Sequence, residues 1–193
     1  IMNRCLEIAN NAFGQTTPNP MVGCVLVFEN KIIGEGYHQQ AGEAHAEINA
    51  INSVENKNLI PLSTLYVSLE PCSHYGKTPP CCERIVQEGI KKVVVGTIDT
   101  YADVNGKGIS FLQQNNVEVV APLLNDACRT LSRRFFTFHE KHRPYIILKW
   151  AQSADGFIAP ENAQQQYAIS NTFSKTLSHK WRTEEQAILV GTK

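Results

Sequence analysis

Glu70-Pro71-Cys72-Ser73-His74-Tyr75-Gly76-Lys77-Thr78-Pro79-Pro80-Cys81 decides how this chain is read. Residues 64–69, just before it, are branched and apolar and predict a strand, while residues 81–88 carry helical spacing. One thiol therefore leaves the end of a strand and another opens a helix. Upstream, His45-Ala46-Glu47 begins a further helix marked by Ala44, Ile48 and Ile51. Two helix N-termini can converge on one point, bringing a histidine, two cysteines and a carboxylate with them.

Outward from that centre the elements alternate. Met2, Cys5, Leu6, Ala9 and Phe13 sit at helical spacing over 2–13, and two branched runs, 22–28 and 31–37, flank the turn candidate Glu29-Asn30. A buried strand is expected at 92–96, a helix at 108–114 and a strand at 117–120. A helix over 125–140 would carry Ala127, Leu131, Phe135 and Phe138 on one stripe, with Arg129, Arg133 and Arg134 beside it. This alternation predicts a layered α/β domain whose sheet is covered by helices. Composition changes at His142-Arg143-Pro144, so one domain is placed at 1–142 and a second at 143–193, with strands at 145–150 and 187–190. About 50 residues are fewer than an independent domain usually needs to bury a core, so the second is expected to be incomplete. Residues 160–166 read as a polar loop.

Composition narrows the function classes. Among 193 residues, Lys plus Arg is 18 and Asp plus Glu is 18, a formal charge of zero that offers no broad basic surface to nucleic acid. A small substrate is expected. No run of about 18 apolar residues could span a bilayer, and residues 1–7 lack the apolar core of a signal peptide, so a cytoplasmic protein without membrane contact is expected. Six cysteines suit a reducing compartment, where clustered thiols bind metal or catalyse more often than they pair.

Zinc takes about four tetrahedral ligands, and catalytic sites use three from the protein with water at the fourth. His45, Cys72 and Cys81 supply three. Both His45 and Cys81 lie at positive helix ends, which favours a thiolate at Cys81. With the 45–51 helix pointing end-on at the metal, Glu47 reaches the site without ligating. That arrangement fits hydrolytic deamination: a water acidified by the metal attacks an amine-bearing ring carbon, and Glu47 carries protons to the ring nitrogen and the departing amine. Cys5, Cys24 and Cys128 read as core thiols, and Cys82 as a neighbour pointing away. A purely structural zinc site would need a fourth ligand, for which His74 is the candidate.

The long Cys72 to Cys81 spacing, Thr17-Pro18-Asn19-Pro20-Met21-Val22-Gly23 and Gly34-Glu35-Gly36-Tyr37-His38 together resemble the bifunctional pyrimidine deaminase/reductase family of riboflavin biosynthesis. The resemblance covers nearly the whole chain. It implies a cytidine-deaminase-like three-layer α/β/α domain with a mixed sheet, followed by an incomplete dihydrofolate-reductase-like domain. It implies deamination of 2,5-diamino-6-ribosylamino-pyrimidinone 5′-phosphate, then NADPH-dependent reduction of the ribosyl group by a complete second domain. Residue by residue, it implies Asn19 beside the pyrimidine, His38, His74 and Lys77 around the ring and ribose phosphate, and Asp99 near the sugar. Tyr101 stands where the family has asparagine. Lys149-Trp150-Ala151-Gln152-Ser153-Ala154-Asp155-Gly156 resembles the opening of the reductase, implying cofactor contact at Ala151, and Arg182 matches a substrate-binding arginine. The family tendency is to form homo-oligomers. Two other functions share features of the sequence: a nucleotide or tRNA deaminase with the same metal chemistry, and a noncatalytic module held together by zinc. Glu47 speaks against the last, because a structural site has no use for an unligated carboxylate.

Overall fold

A computed structural model describes residues 1–76, 79–101, 104–159 and 168–191. The chain divides into two compact units, Ile1–Tyr145 and Ile146–Lys193.

The first unit is built on a five-stranded mixed sheet of order β2-β1-β3-β4-β5. Its strands are β1 (Gly23–Phe28), β2 (Lys31–Tyr37), β3 (Thr64–Val67), β4 (Lys92–Val95) and β5 (Glu118–Val120). β1 runs antiparallel to β2 and β3, whereas β3, β4 and β5 are parallel. The β1–β2 hairpin closes on Glu29 and Asn30, both with positive φ, as a turn matching the strands' twist requires.

Alternation along the strands sorts side chains between two helical layers. On one face Cys24, Leu26, Leu65, Val67, Val93 and Val95 pack with residues of α2 (Ala46–Ser53), α3 (Cys81–Gln87) and α4 (Lys107–Gln114). On the other, Val25 and Val94 meet Met2, Cys5 and Ile8 of α1 (Met2–Ala9) and Cys128 of α5 (Asn125–Leu131). The expected three-layer α/β/α architecture is therefore present. α2 lies so close on β2 that a Cβ at Gly36 would collide with the backbone of Asn49 and Ala50.

Three expectations are corrected. The helix over 125–140 is two helices, α5 and α6 (Arg133–Lys141), parted at Ser132, whose Oγ donates to the Met21 carbonyl at 3.0 Å. Cys128, Ser132 and Phe136 are the buried positions of this segment, while Ala127 and Phe138 are exposed. The stripe picked from apolar residue types is thus rotated away from the core. Residues 145–150, where the units meet in the chain, and 187–190 of the second unit form no strand, because the described residues offer them no partner backbone. That unit contains α7 (Thr172–Thr183), capped by the Asn171 side chain, which accepts from the Ser174 N–H at 2.9 Å. None of its described residues is buried. No helix among the described residues is long and apolar enough to cross a membrane.

Candidate active site

Two parallel strands, β3 and β4, end side by side, and the segments leaving them build the site. This is where open α/β sheets place ligands, outside the carboxyl ends of their strands. Cys72 follows β3, Asp99 follows β4, and α2 and α3 bring His45 and Cys81 to the same point. His45 is the N-cap of α2 and is extended there, so its ring leaves the helix end rather than its side.

One ligand atom from each of His45, Cys72 and Cys81 lies within 4.8 Å of the others. His45 Nδ1 is 3.5 Å from Cys72 Sγ and 3.3 Å from Cys81 Sγ. Tetrahedral zinc with its usual bonds places nitrogen and sulfur ligands about 3.6 Å apart, so both nitrogen–sulfur distances suit the ion. The Cys81 thiol, hydrogen-bonded to Cys72, pulls the Cys72 thiol down to about 4 against the cost of burial, and His45 and the Cys81 backbone N–H add to it. The same bond to Cys72, with burial, pushes Cys81 up. His45 is pushed up to about 9 by its bond to Cys72.

Glu47 sits in the first turn of α2 at 3 % exposure, and burial pushes its carboxyl up to about 7. A carboxyl poised near neutrality can both take and return a proton. Cys82 faces away, its thiol donating to the Pro71 and Gly108 carbonyls.

A cavity of about 350 Å³ opens onto this group, lined also by Asn19, His38, His74 and Asp99. Of the residues expected to meet substrate, these four are brought together; Lys77 lies outside the described residues. His38 is buried, with burial holding its pKa below the usual value. Its Nδ1, 3.1 Å from the Ala44 carbonyl, must donate there, so Nε2 accepts from Asn19 Nδ2 at 3.0 Å. Both ring nitrogens are thereby engaged within the protein, and the Asn19 amide is held with its carbonyl oxygen left for a ligand. Ala151 and Arg182 belong to the second unit, where Arg182 stands on α7 beside His179.

Glu70 escaped the sequence reading. At 4 % exposure, its Oε2 accepts from the N–H groups of Asp99 (3.2 Å) and Gly106 (2.9 Å), and Oε1 from Gly108 (2.9 Å) and Ile109 (3.2 Å). It ties the loop bearing Asp99 and the start of α4 to the strand end that carries Cys72. Gly108 permits this closeness, since a Cβ there would strike the Pro71 carbonyl. Glu70→Gln turns an amide against two of these donors and is expected to cost about 2–4 kcal/mol in urea unfolding. A loss under about 0.5 kcal/mol would rule out this anchoring role.

Asp99, 6 % exposed, is pushed up from its ordinary 3.8 to about 6, chiefly by burial. The folded chain binds this proton more tightly than the unfolded one. The ionised carboxylate therefore costs stability above about pH 6, and the cost fades as pH falls towards 4. Asp99→Asn is expected to stabilise the fold by about 1–3 kcal/mol at pH 8 and hardly at all near pH 4. Equal stability of the two proteins at pH 8 would contradict this.

Comparison with known proteins agrees with the geometry. Residues 1–97 match the family described as the cytidine and deoxycytidylate deaminase zinc-binding region, and residues 144–193 match the RibD C-terminal domain. The riboflavin biosynthesis protein RibD of Aquifex aeolicus is 43% identical over 190 residues, covering 98% of this chain and 52% of that protein. The diaminohydroxyphosphoribosylamino-pyrimidine deaminase of Buchnera aphidicola is 43% identical over 135 residues, 70% of this chain and 90% of its own length. The structure of Acinetobacter baumannii RibD superposes with a TM-score of 0.86 at 36% identity, covering 95% of this chain and 51% of that one. The chain thus spans about half the length of the RibD proteins it matches.

Proposed function

The chain belongs to the cytidine and deoxycytidylate deaminase zinc-binding family, among the riboflavin biosynthesis proteins, and from that premise we propose that residues 1–142 deaminate 2,5-diamino-6-ribosylamino-4(3H)-pyrimidinone 5′-phosphate by hydrolysis. The observation that carries this reading is the convergence of His45, Cys72 and Cys81 beside buried Glu47 in a cavity shared with Asn19.

His45, Cys72 and Cys81 would hold zinc, which when bound would supply a water acidic enough to attack at neutral pH, its pKa brought from 15.7 towards about 7. Glu47 accepts the proton that water gives up and passes it to the ring nitrogen beside the amine-bearing carbon. It then carries a second proton to the departing amine. A carbonyl replaces the amine and ammonia leaves, so water is the only co-reactant. Asn19, its amide fixed by His38, offers its carbonyl oxygen to the ring edge, and His74 and Lys77 attend the ribose phosphate while Asp99 faces the sugar.

Residues 143–193 correspond to the beginning of a reductase domain. In its complete form that domain reduces the ribosyl group with NADPH, with Ala151 near the cofactor and Arg182 near the substrate. The same reading takes a small phosphorylated metabolite as substrate, the cytoplasm as the compartment and a homo-oligomer as the assembly.

The test is ammonia release from the diaminopyrimidine ribosyl phosphate, cytidine, deoxycytidine monophosphate and a tRNA, on protein assayed for metal. Selective release from the first with about one zinc per chain supports the assignment. Preference for any of the others moves the activity elsewhere in the superfamily, and zinc without turnover leaves a noncatalytic module.

A further inference from the structure

The face that α6 turns to the cavity serves neither the core nor the proton chemistry. Phe136, 3 % exposed, is the α6 side chain given to the core. Phe135, Phe138 and His139 lie on one side of it, about 100°, 160° and 60° round the helix, and line the cavity instead. Phe138 is left 58 % exposed there, a large apolar side chain with no core to account for it. The His139 ring joins the group: its centroid is 4.4 Å from that of Phe135, 5.2 Å from Phe138 and, across to the segment after β4, 5.0 Å from Tyr101.

The placement of this wall is controlled. The Ser132 hydroxyl binds the Met21 carbonyl, two residues from Asn19, and the Arg134 guanidinium lies 4.7 Å over the Phe13 ring. Asn19 and the wall are thus parts of one held assembly, one offering polar atoms and the other aromatic surface. Burial keeps the His139 pKa below its usual value, so the wall offers no fixed cation to a phosphate.

We infer that Tyr101, Phe135, Phe138 and His139 form the surface on which the planar heterocycle of the substrate stacks while Asn19 holds its edge. This rests on the deaminase reading above. Asn19 recognises the edge of the ring, and the wall selects for a flat aromatic face, so together they present the amine-bearing carbon to Glu47.

The test is calorimetric titration of zinc-loaded Glu47→Gln protein, expected to turn substrate over about 10²–10⁴-fold more slowly than the parent, with the diaminopyrimidine ribosyl phosphate. Adding Phe138→Ala or His139→Ala is expected to weaken binding between about fivefold and a hundredfold, the range of stacking losses on aromatic side chains. Phe138→Tyr keeps a ring and should bind within about twofold of Glu47→Gln alone, whereas Phe138→Leu, apolar without a π face, should stay weak. Ribose 5-phosphate, which has no heterocycle, should be indifferent to Phe138→Ala. The inference is overturned if both alanine variants bind like Glu47→Gln alone, if leucine restores binding fully, or if ribose 5-phosphate is weakened equally. Failure of Glu47→Gln itself to bind the pyrimidine overturns the deaminase reading and the wall with it.

Discussion

Glu47→Gln is expected to lower kcat by about 10²–10⁴-fold while zinc content and unfolding midpoint stay near those of the parent protein. Glutamine keeps the volume of the side chain and its place in the first turn of α2, but it cannot take or return a proton. The side chain is 3 % exposed and burial already pushes its carboxyl up to about 7, so exchanging it for a neutral amide removes a burial cost rather than adding one. Loss of turnover with an intact fold and metal separates proton transfer from mere support of the site. Turnover within about threefold of the parent would show that another group moves the proton and would remove Glu47 from the mechanism.

Removal of a proposed ligand has the other large effect. Cys72→Ala is expected to reduce bound zinc from about one per chain to below a tenth and to take activity below detection. The loss should also appear in stability. A ligand that binds only the folded chain adds about 4 kcal/mol at a thousand times its dissociation constant, so the parent's unfolding midpoint should rise with zinc while that of the variant stays put. Cys82→Ala is the control: its sulfur faces the Pro71 and Gly108 carbonyls, and it should keep its zinc. A Cys72→Ala protein with full zinc and turnover would reject the ligand set.

The clustering of His45, Cys72 and Cys81 was legible in the sequence because the chemistry of these residues is local. A histidine at a helix start, a cysteine after a strand and another at a helix start announce a meeting place through elements that hydrophobic periodicity reveals. β1 and β4 were readable in the same way as branched apolar runs, but the sorting of Leu26 from Val25 and Val95 from Val94 between the two layers was not, since both alternating positions are apolar. Periodicity overreached along 125–140, where it could not register that the Ser132 hydroxyl would bond to Met21, 111 residues away in the chain. It overreached again at 145–150, since an apolar run becomes a strand only beside another strand's backbone.

Glu70 was hidden for a related reason. Its partners are backbone N–H groups 29 to 39 residues further on, and every residue but proline has such a group, so no side-chain pattern marks them. His38 was visible as a site residue, yet its use of both ring nitrogens on Ala44 and Asn19 was not.

By itself, then, the sequence determined the layered α/β fold and pointed to the cluster of His45, Cys72 and Cys81 with Glu47 on the neighbouring helix turn, because each depends on residue type and on spacing along one or two neighbouring elements. Tertiary structure alone decided which carboxylate anchors the backbone of Asp99, Gly106, Gly108 and Ile109, how the Asn19 amide is turned and which face of α6 meets the cavity. Those outcomes are set by hydrogen bonds and packing between segments far apart in the chain, and such contacts have no partners until the layers close.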